Sequence, residues 1–401
     1  MTHATAQAPA RFSKLIDPVD RAVFMARHYE QCPLHIERRD EQYFTDLVAA
    51  QDIEGLFNTA IPKSMIRMNK EGREVHDDQL SEPENGSFVD HLSTDRALNL
   101  FGGGHTFIIN SGNRLFPRLD RYCVEIEAEL RFRVQANIYI TPCNTQGFDT
   151  HYDDHDVFIL QVMGSKNWRV FHSAVELPSR RQAFKAGTDF GLQAPQIEVT
   201  LLPGDTLYIP RGVLHDASTG GVTSAHITLG LHPMYRFDIV QELAFLAQDT
   251  PAFRKSVPLG LLSDREAALR EFKALLKELV DTVDVEALVN RRYASFVDRR
   301  RLPAGPRFRD LARLNNLNLN TALRKRDGAL YVIERDQRSV AVKFAGTSIP
   351  IQPFLEPALD MILGDEAFAV GDINAFMSDK ARLDLAGAFL KAGFLEVVDW
   401  R

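Results

Sequence analysis

A histidine and an aspartate two positions apart are the side chains of this sequence best suited to hold a metal ion. His151 and Asp153 lie in the run Phe-Asp-Thr-His-Tyr-Asp-Asp. In an extended strand, residues i and i+2 project to the same face, so this imidazole and this carboxylate would stand side by side. A third ligand has to come from another part of the chain. His215, 64 positions after His151, is the best candidate.

Two imidazoles and one carboxylate form a ligand set that serves two kinds of enzyme. On one face of an octahedral metal they leave the opposite face open, which is the arrangement of non-haem Fe(II) oxygenases. The same set can hold a hydrolytic zinc ion together with a water molecule. A His-x-Asp pair by itself is also common at protein surfaces, so the surrounding sequence has to distinguish a ligand pair from a surface pair.

The elements that must position these side chains are short strands between residues 106 and 232. Runs such as VQANIYIT, VFILQVMG and TSAHITLGL are separated by Gly, Pro, Asn and Asp, which favours a barrel or a sandwich. An antiparallel barrel could bring the distant histidine to the pair at its mouth. Helical periodicity precedes this region, where Asp17-Pro18 predicts a helix N-terminus, and it returns from Tyr235 to about Arg301.

The second helical region carries an apolar stripe that needs a packing partner. Its members recur at steps of three and four, and Ser263 with Glu266 predicts a capping box before them. The stripe consists of Leu269, Phe272, Leu276, Leu279 and Val283. Packing onto the barrel and a dimer interface are the two interpretations.

Length and charge restrict the class of protein. The 401 residues are too many for one ordinary core, so two or three domains are expected. The net charge of −7 argues against nucleic acid as a general partner. Three cysteines without a Cys-x-x-Cys pair argue against a disulfide framework and fit a reducing compartment. With no signal-like start and no long apolar run, we expect a soluble, cytoplasmic protein without a membrane span.

Several further motifs surround the candidate ligands. They are Asn-Ile-Tyr-Ile-Thr-Pro at 137–142, Val-Phe-Ile-Leu-Gln at 157–161, Gly-Ser-Lys-Asn-Trp-Arg-Val at 164–170, and Pro-Gly-Asp-Thr-Leu-Tyr-Ile-Pro-Arg-Gly at 203–212. Together with the His-x-Asp pair, this set resembles the JmjC-type 2-oxoglutarate oxygenases, and within them the ribosomal-oxygenase (cupin-4) branch. The resemblance is dense over about residues 100–232 and looser beyond.

For the fold, the resemblance implies a double-stranded β-helix, a jelly-roll or cupin-like JmjC barrel with N-terminal helices. The implied catalytic domain spans 16–234. A helical dimerisation domain would follow at 235–303, and a winged-helix-like α+β module at 304–401, so a homodimer is expected. Residues 1–15 are small and polar and are expected to form a disordered tail.

For the site, the resemblance assigns His151, Asp153 and His215 as iron ligands. Lys166 corresponds to the basic residue that binds the distal carboxylate of 2-oxoglutarate. A dicarboxylate in a partly dry barrel needs a buried opposite charge, which is the physical reason for a lysine there. The alternative for Lys166 is a solvated turn lysine.

Four further residues are expected in the same pocket. Asn137 and Tyr139 share one strand face, where they would contact the co-substrate or simply pack in the core. His226 and Thr228 share a face of the last strand, with Thr228 at the co-substrate and His226 behind it. A core histidine with satisfied hydrogen bonds is the alternative for His226.

For function, the resemblance implies an Fe(II)- and 2-oxoglutarate-dependent dioxygenase that hydroxylates a side chain of a protein or peptide, with a ribosomal protein as the expected substrate. A peptide natural-product precursor as substrate, and a metal-dependent cupin hydrolase or isomerase, are the alternatives. Residues 301–401 carry 14 Lys/Arg against 13 Asp/Glu, and their basic cluster at 324–326 has the pattern of a solvated turn. Nucleic acid is therefore not expected as a partner.

Overall fold

The chain forms two compact units, Met1–His232 and Pro233–Arg401. The computed structural model describes residues 11–76, 79–82, 90–185, 187–256, 265–302, 305–336 and 339–398. Every residue that the sequence analysis assigned to the site lies in the first unit.

The helices of the first unit share one apolar core with a large sheet. They are α1 (Arg11–Ile16), α2 (Arg21–Arg27), α3 (Ala50–Leu56), α4 (Thr94–Gly102) and α5 (Pro117–Leu130). The expectation of a disordered tail through residue 15 is wrong for its last part. Phe12 and Leu15 lie on α1 and are buried in this core, so apolar burial orders the segment. Residues 1–10 lie outside the described residues.

The start of α2 also differs from the prediction. Asp17-Pro18 precedes the helix and does not cap it. Asp20 is the N-cap, and its carboxylate accepts hydrogen bonds from the backbone N–H groups of Ala22 and Val23 at 2.8 and 3.2 Å. Because a capping carboxylate has to satisfy the free N–H groups of the first turn, the later aspartate determines where the helix begins.

The strands of the first unit are short, as the sequence predicts. They are β1 (Leu34–Ile36), β2 (Ile66–Lys70), β3 (Arg73–Glu74), β4 (Ser81–Glu82), β5 (His91–Leu92), β6 (Thr106–Ile109), β7 (Arg133–Thr141), β8 (Asp156–Met163), β9 (Lys166–Ser173), β10 (Ile197–Leu201), β11 (Thr206–Ile209), β12 (Val213–Ser218) and β13 (Ser224–His232). Among the strands that the structure describes, eight pair in the order β1-β11-β8-β13-β7-β6-β2-β3, and β10-β9-β12 form a second, three-stranded sheet. The ladders in both sheets are antiparallel.

Successive side chains along the strands of the large sheet point alternately into two different apolar clusters. On β8, Phe158 and Leu160 face the core shared with the helices, whereas Val157 and Ile159 belong to a second cluster. Trp168 of β9 joins this second cluster, so the two sheets face each other. The first unit is therefore the expected double-stranded β-helix barrel, with helices packed on the outer face of its large sheet.

The second unit begins with helices. They are α6 (Arg236–Asp249), α7 (Pro251–Arg254), α8 (Arg265–Thr282) and α9 (Val285–Arg299). The predicted apolar stripe lies on α8, with Val283 just past its end, and Leu269, Phe272 and Leu276 are 44, 52 and 41% exposed. Ser263, the predicted cap, lies outside the described residues. Thus the stripe of α8 is left largely exposed by the described residues of the unit.

The rest of the second unit is a mixed α+β module with its own core. Its elements are α10 (Arg307–Arg313), β14 (Ala322–Lys325), β15 (Val332–Arg335), β16 (Val340–Phe344), β17 (Thr347–Ile351), α11 (Leu359–Leu363), β18 (Phe368–Ala369), α12 (Asp379–Ala392) and β19 (Leu395–Val397). The prediction of a solvated basic turn at 324–326 is wrong for Arg326, which is 2% exposed and ion-paired with Asp310 and Glu396. A buried guanidinium needs such partners, so this charge is internal.

Within the described residues, none of the helices combines the length and the apolar character needed to cross a membrane.

Candidate metal centre

Backbone pairing brings the third candidate ligand to the first two. His151 lies between β7 and β8, and it pairs with His215 of β12 as an isolated antiparallel bridge. The N–H of His151 donates to the carbonyl of His215 at 3.0 Å, and the reverse bond measures 2.8 Å. The His-x-Asp pair thus stands in an extended single-residue bridge and not in a continuous strand. This bridge is enough to place the two imidazoles next to each other.

The three side chains form a compact cluster. One nitrogen or oxygen atom from each of His151, Asp153 and His215 can be chosen so that all lie within 4.8 Å of one another. Nε2 of His215 is 3.8 Å from Oδ2 of Asp153, and the two imidazole centroids are 4.5 Å apart with the rings inclined by 52°. These separations suit three ligands on one face of a single metal ion.

Hydrogen bonds select which nitrogen of each imidazole faces the cluster. Nδ1 of His151 lies 2.8 Å from the carbonyl oxygen of Asp149, and Nδ1 of His215 lies 3.0 Å from that of Val213. A carbonyl only accepts hydrogen bonds, so each Nδ1 carries the proton and donates it. The lone pair is then on Nε2, as in metal-binding histidines whose other nitrogen is held by the backbone.

The environment of His215 keeps its imidazole neutral. Burial lowers its pKa, the neighbouring His151 lowers it further, and Asp153 opposes both, with the result at about 4. A neutral imidazole is the form that binds metal. No proton therefore has to leave His215 at neutral pH before it can act as a ligand.

Lys166, the first residue of β9, is buried in the barrel. It is 5% exposed, and its Nζ donates to the hydroxyl of Thr141 at 2.9 Å. Burial lowers the pKa of Lys166 to about 7. Because Lys166 is buried, the alternative of a solvated turn lysine is wrong. In the described part of the chain no carboxylate forms an ion pair with it. A buried ammonium without a counter-ion is suited to an anionic ligand.

A comparison with known protein families matches residues 112–239 to the model described as "JmjC domain". Residues 112–239 of this chain therefore form a JmjC domain. The matched range contains all three residues of the metal cluster and Lys166. Within the family, the relatives found by sequence are ribosomal oxygenases and related hydroxylases.

Two relatives show how far the sequence similarity extends. The chain is 30% identical to a "Bifunctional lysine-specific demethylase and histidyl-hydroxylase NO66" of Aedes aegypti, over 70% of this chain and 46% of that protein. It is 30% identical to "Ribosomal oxygenase 2" of Bos taurus, over 68% of this chain and 60% of that protein. The chain thus spans about half the length of the curated relatives it matches.

A solved structure is similar along nearly the whole chain. It is YcfD, a ribosomal oxygenase from Escherichia coli, in complex with cobalt and succinic acid. The TM-score is 0.54 at 16% identity, and the match covers 95% of this chain and 99% of that chain. At this identity the likeness shows a shared fold, which includes the helical segment and the C-terminal module as well as the JmjC barrel.

The four other predicted pocket residues face one another across β7 and β13 of the JmjC domain. Tyr139 pairs with His226, and their rings stack at 4.9 Å and 3°. Asn137 pairs with Thr228, but its Oδ1 already accepts a hydrogen bond from the N–H of Ser111 at 2.9 Å. Burial raises the pKa of Tyr139 to about 12 and holds that of His226 well below its usual value. Both rings of the stack are therefore neutral.

Polar atoms without partners identify further residues of this pocket. Nδ1 of His226, Nε1 of Trp168 and Oε1 of Gln161 are buried and have no hydrogen-bond partner in the described structure, so His226 is not the satisfied core histidine. Each such atom lowers the free energy of unfolding by about 1–3 kcal/mol unless a ligand or a water molecule hydrogen-bonds to it. The Trp168 ring centroid is 5.4 Å from that of His226 and 5.8 Å from Nζ of Lys166. A polar, anionic co-substrate fits these surroundings.

Sequence reasoning missed Thr141, Gln161 and Trp168. Thr141 follows Asn137 and Tyr139 at steps of two on β7, so strand alternation could have found it. Nothing in the sequence marks Gln161, whose amide donates to the Ser224 hydroxyl at 2.8 Å across to β13.

Two other histidines of the first unit, His105 and His155, take no part in the cluster. His155 stacks on His232 at 4.6 Å, and its Nδ1 is 3.0 Å from a carboxylate oxygen of Asp154. His105 hydrogen-bonds through Nδ1 to the carbonyl of Leu100 at 2.9 Å. Asp154 is therefore occupied by His155 and does not add a second carboxylate to the candidate ligands.

Proposed function

We propose that this chain is an Fe(II)- and 2-oxoglutarate-dependent dioxygenase that hydroxylates a side chain of a protein or peptide. The observation that carries the proposal is the combination of the His151–Asp153–His215 cluster with a buried Lys166, which has no carboxylate partner among the described residues, in one barrel. A hydrolytic metal site would use the three ligands but would have no need of a buried cation. The relatives' names, ribosomal oxygenase and histidyl-hydroxylase, support the same activity.

Each group in the pocket then has a defined part in binding. His151, Asp153 and His215 would hold Fe(II), and Lys166 with the Thr141 hydroxyl would bind the distal carboxylate of 2-oxoglutarate. Together with dioxygen, the bound ferrous ion and 2-oxoglutarate supply the oxidising power for hydroxylation, with succinate and carbon dioxide as co-products. The protein orients the co-substrate and keeps water from the reacting groups.

The neutral pair Tyr139 and His226 would form the wall beside the co-substrate. Because neither ring carries a charge, they add no competing ion to the one provided by Lys166. Thr228 would contribute a hydroxyl from the neighbouring strand position. Asn137, whose amide oxygen is engaged by Ser111, would orient this wall.

The assay for this function follows from the ligand set. Under anaerobic conditions, protein loaded with Fe(II) should give a weak visible charge-transfer band when 2-oxoglutarate is added. Admission of oxygen should then convert 2-oxoglutarate to succinate. Lys166→Met should lose both signals at the same co-substrate concentration. Absence of the band in fully iron-loaded wild-type protein would favour a metal-dependent hydrolase or isomerase.

We infer that the substrate is a ribosomal protein, and the support is the name shared by several relatives. A ribosomal protein is basic, and the net charge of −7 favours its approach. Intact-mass comparison of ribosomal proteins from cells with and without the gene tests this. One species heavier by one oxygen atom in the presence of the gene would identify the target, and a change confined to a small peptide would favour a natural-product precursor.

We further propose that the protein is a cytoplasmic homodimer that pairs through residues 235–303, with 304–401 as a winged-helix-like module. The support is the exposed apolar surface of the helices. Phe237 and Phe245 of α6 are 50 and 61% exposed, and Phe272 and Val280 of α8 are 52 and 58% exposed. Large apolar side chains exposed in this number on the helices of one segment are typical of a covered interface, and a second copy provides the matching surface.

A further inference from the structure

A small aromatic cluster lies behind the metal ligands. Tyr152 stands between His151 and Asp153, and strand alternation turns it to the opposite side. Leu214 does the same beside His215. Both are buried together with Phe171, in a cluster separate from the two apolar clusters of the barrel.

The long connection between β9 and β10, residues 174–196, completes this cluster. Phe184 and Phe190 from this connection pack on the Tyr152 ring edge-on, at 5.5 and 5.8 Å. They also contact each other at 5.7 Å. The Tyr152 hydroxyl donates to the carbonyl of Gln182 at 2.8 Å. The connection is thus attached to the residue that separates two candidate ligands.

Phe184 links this cluster to a ligand. Its ring centroid is 6.1 Å from that of His151, with the rings inclined by 69°. On another side, Phe148 lies 5.6 Å from the same imidazole at 44°. His151 is itself only half-buried, in contrast to His215. Besides the neighbouring His215 imidazole, these two phenylalanine rings and the hydrogen bond to Asp149 are the contacts that orient its ring.

We propose that Phe184 is a positioning residue of the metal centre, through which the β9–β10 connection sets the affinity of the site for metal. The inference rests on the proposed function, since it takes the three-residue cluster as the metal site. Phe184 contacts both Tyr152, behind the ligands, and the imidazole of His151, so it fixes the ring plane while shielding one side of it from water. Hydrogen-bonding neighbours of a metal-binding histidine typically contribute 10–100-fold to metal affinity, and a ring contact without a hydrogen bond should contribute less.

The experiment measures metal affinity and not turnover. Wild-type protein and variants are titrated anaerobically with Co(II), and the visible ligand-field bands report both the dissociation constant and the symmetry of the site. Phe184→Ala should weaken binding by up to about tenfold, below the usual range for a lost hydrogen-bonding partner, and shift the bands. Phe184→Tyr keeps the ring and should restore the wild-type values. Leu192→Ala, on the same connection at a side chain that is 54% exposed, is the matched control and should bind as wild type.

Thermal unfolding of each metal-free variant separates positioning from folding. If Phe184→Ala melts lower, the titration is run well below its Tm, where a loss of stability alone leaves the affinity and the bands unchanged. Tyr152→Phe is a second variant, which keeps all rings and removes only the bond to Gln182. A smaller loss of affinity is expected for it.

The outcomes separate this inference from the function on which it rests. If wild-type protein binds Co(II) and Phe184→Ala binds it equally well with the same bands, the positioning role is wrong and the oxygenase proposal stands. If wild-type protein binds no Co(II), and His215→Ala gives the same null titration, the metal site and the proposed function are both wrong.

Discussion

At the scale of single residues, two hydrogen bonds to carbonyl oxygens decide how the imidazoles can act. Each Nδ1 is fixed by the backbone two residues earlier in the chain, Asp149 for His151 and Val213 for His215. Sequence reasoning found the three candidate ligands because their residue types are those of a metal site. It could not find these carbonyl partners, because every residue has a carbonyl and only the local backbone conformation selects one.

The carboxylate of Asp153 should be essential for metal binding. Asp153→Asn keeps the size of the side chain but removes its charge, so Co(II) affinity should fall by more than the 10–100-fold typical of an outer neighbour. Asp154→Asn is the matched control, because that carboxylate bonds to His155. Equal affinity of the two variants in an anaerobic titration would contradict Asp153 as a ligand.

The pH dependence of co-substrate binding should follow Lys166. Burial lowers its pKa to about 7, so above that pH the empty site holds mostly the neutral amine. A carboxylate pairs with the ammonium, and binding then takes up a proton. The dissociation constant of 2-oxoglutarate should therefore rise above pH 7, by up to about tenfold per pH unit, and level off below pH 7.

Calorimetry tests this coupling directly. Anaerobic titrations of metal-loaded protein at pH 8, in buffers of different ionisation enthalpy, should show uptake of close to one proton. Lys166→Met should bind 2-oxoglutarate weakly and without proton uptake. A wild-type dissociation constant that stays constant between pH 6.5 and 8.5 would rule out this role of the lysine.

At the scale of elements, the turn between β8 and β9 places the buried lysine. Gly164 has φ +59°, which side chains rarely adopt, and a Cβ there would lie 1.9 Å from the carbonyl oxygen of Thr223. Only glycine allows this close approach to the start of β13. The turn sets the register in which β9 begins, and so the position of Lys166 beside Thr141.

Gly164→Ala should therefore be clearly destabilising. The left-handed backbone and the clash with Thr223 together should cost about 1–3 kcal/mol or more of unfolding free energy. Gly220→Ala is the control, since a Cβ there meets no atom within 4 Å and the backbone has no positive φ. Urea unfolding of both variants measures the difference. Equal midpoints would show that the turn tolerates a side chain.

The short strands were predictable from the sequence, but their neighbours were not. Alternation in 134–141 and the continuous apolar run at 157–160 both favour strands, and β7 and β8 form there. Yet β13, not the next strand along the chain, lies between β7 and β8 in the sheet. Such an order depends on contacts between distant segments. The start of α2 shows the same limit, because Asp17 and Asp20 both precede the helix and only the folded backbone shows that Asp20 is its N-cap.

At the scale of the whole molecule, the exposed apolar side chains of the helical segment are the main feature that one chain does not explain. α8 has no buried side chain among its described residues, although its sequence has the stripe of a packed helix. The sequence identified the stripe but left two possible partners open. Because the stripe is exposed, the interpretation as a dimer interface gains support.

Charges placed on the exposed apolar side chains of α8 should separate a dimer. Phe272→Asp combined with Val280→Asp should convert protein of twice the chain mass to single chains in sedimentation velocity, because buried carboxylates without partners strongly oppose association. Lys273→Asp combined with Lys277→Asp, on the same helix, should leave the dimer intact. A wild-type protein that sediments as a single chain at micromolar concentration would exclude the dimer.

The bridge between His151 and His215 also bears on when the site can first exist. A growing chain that has reached β8 possesses one imidazole and one carboxylate, with no third donor to close the set. Only after about sixty more residues have been synthesised, and β12 has paired, can a ferrous ion find all three donors. On the proposed assignment of these three residues, a chain that lacks β12 would offer no complete ligand set, and so no tight site, to a redox-active ion.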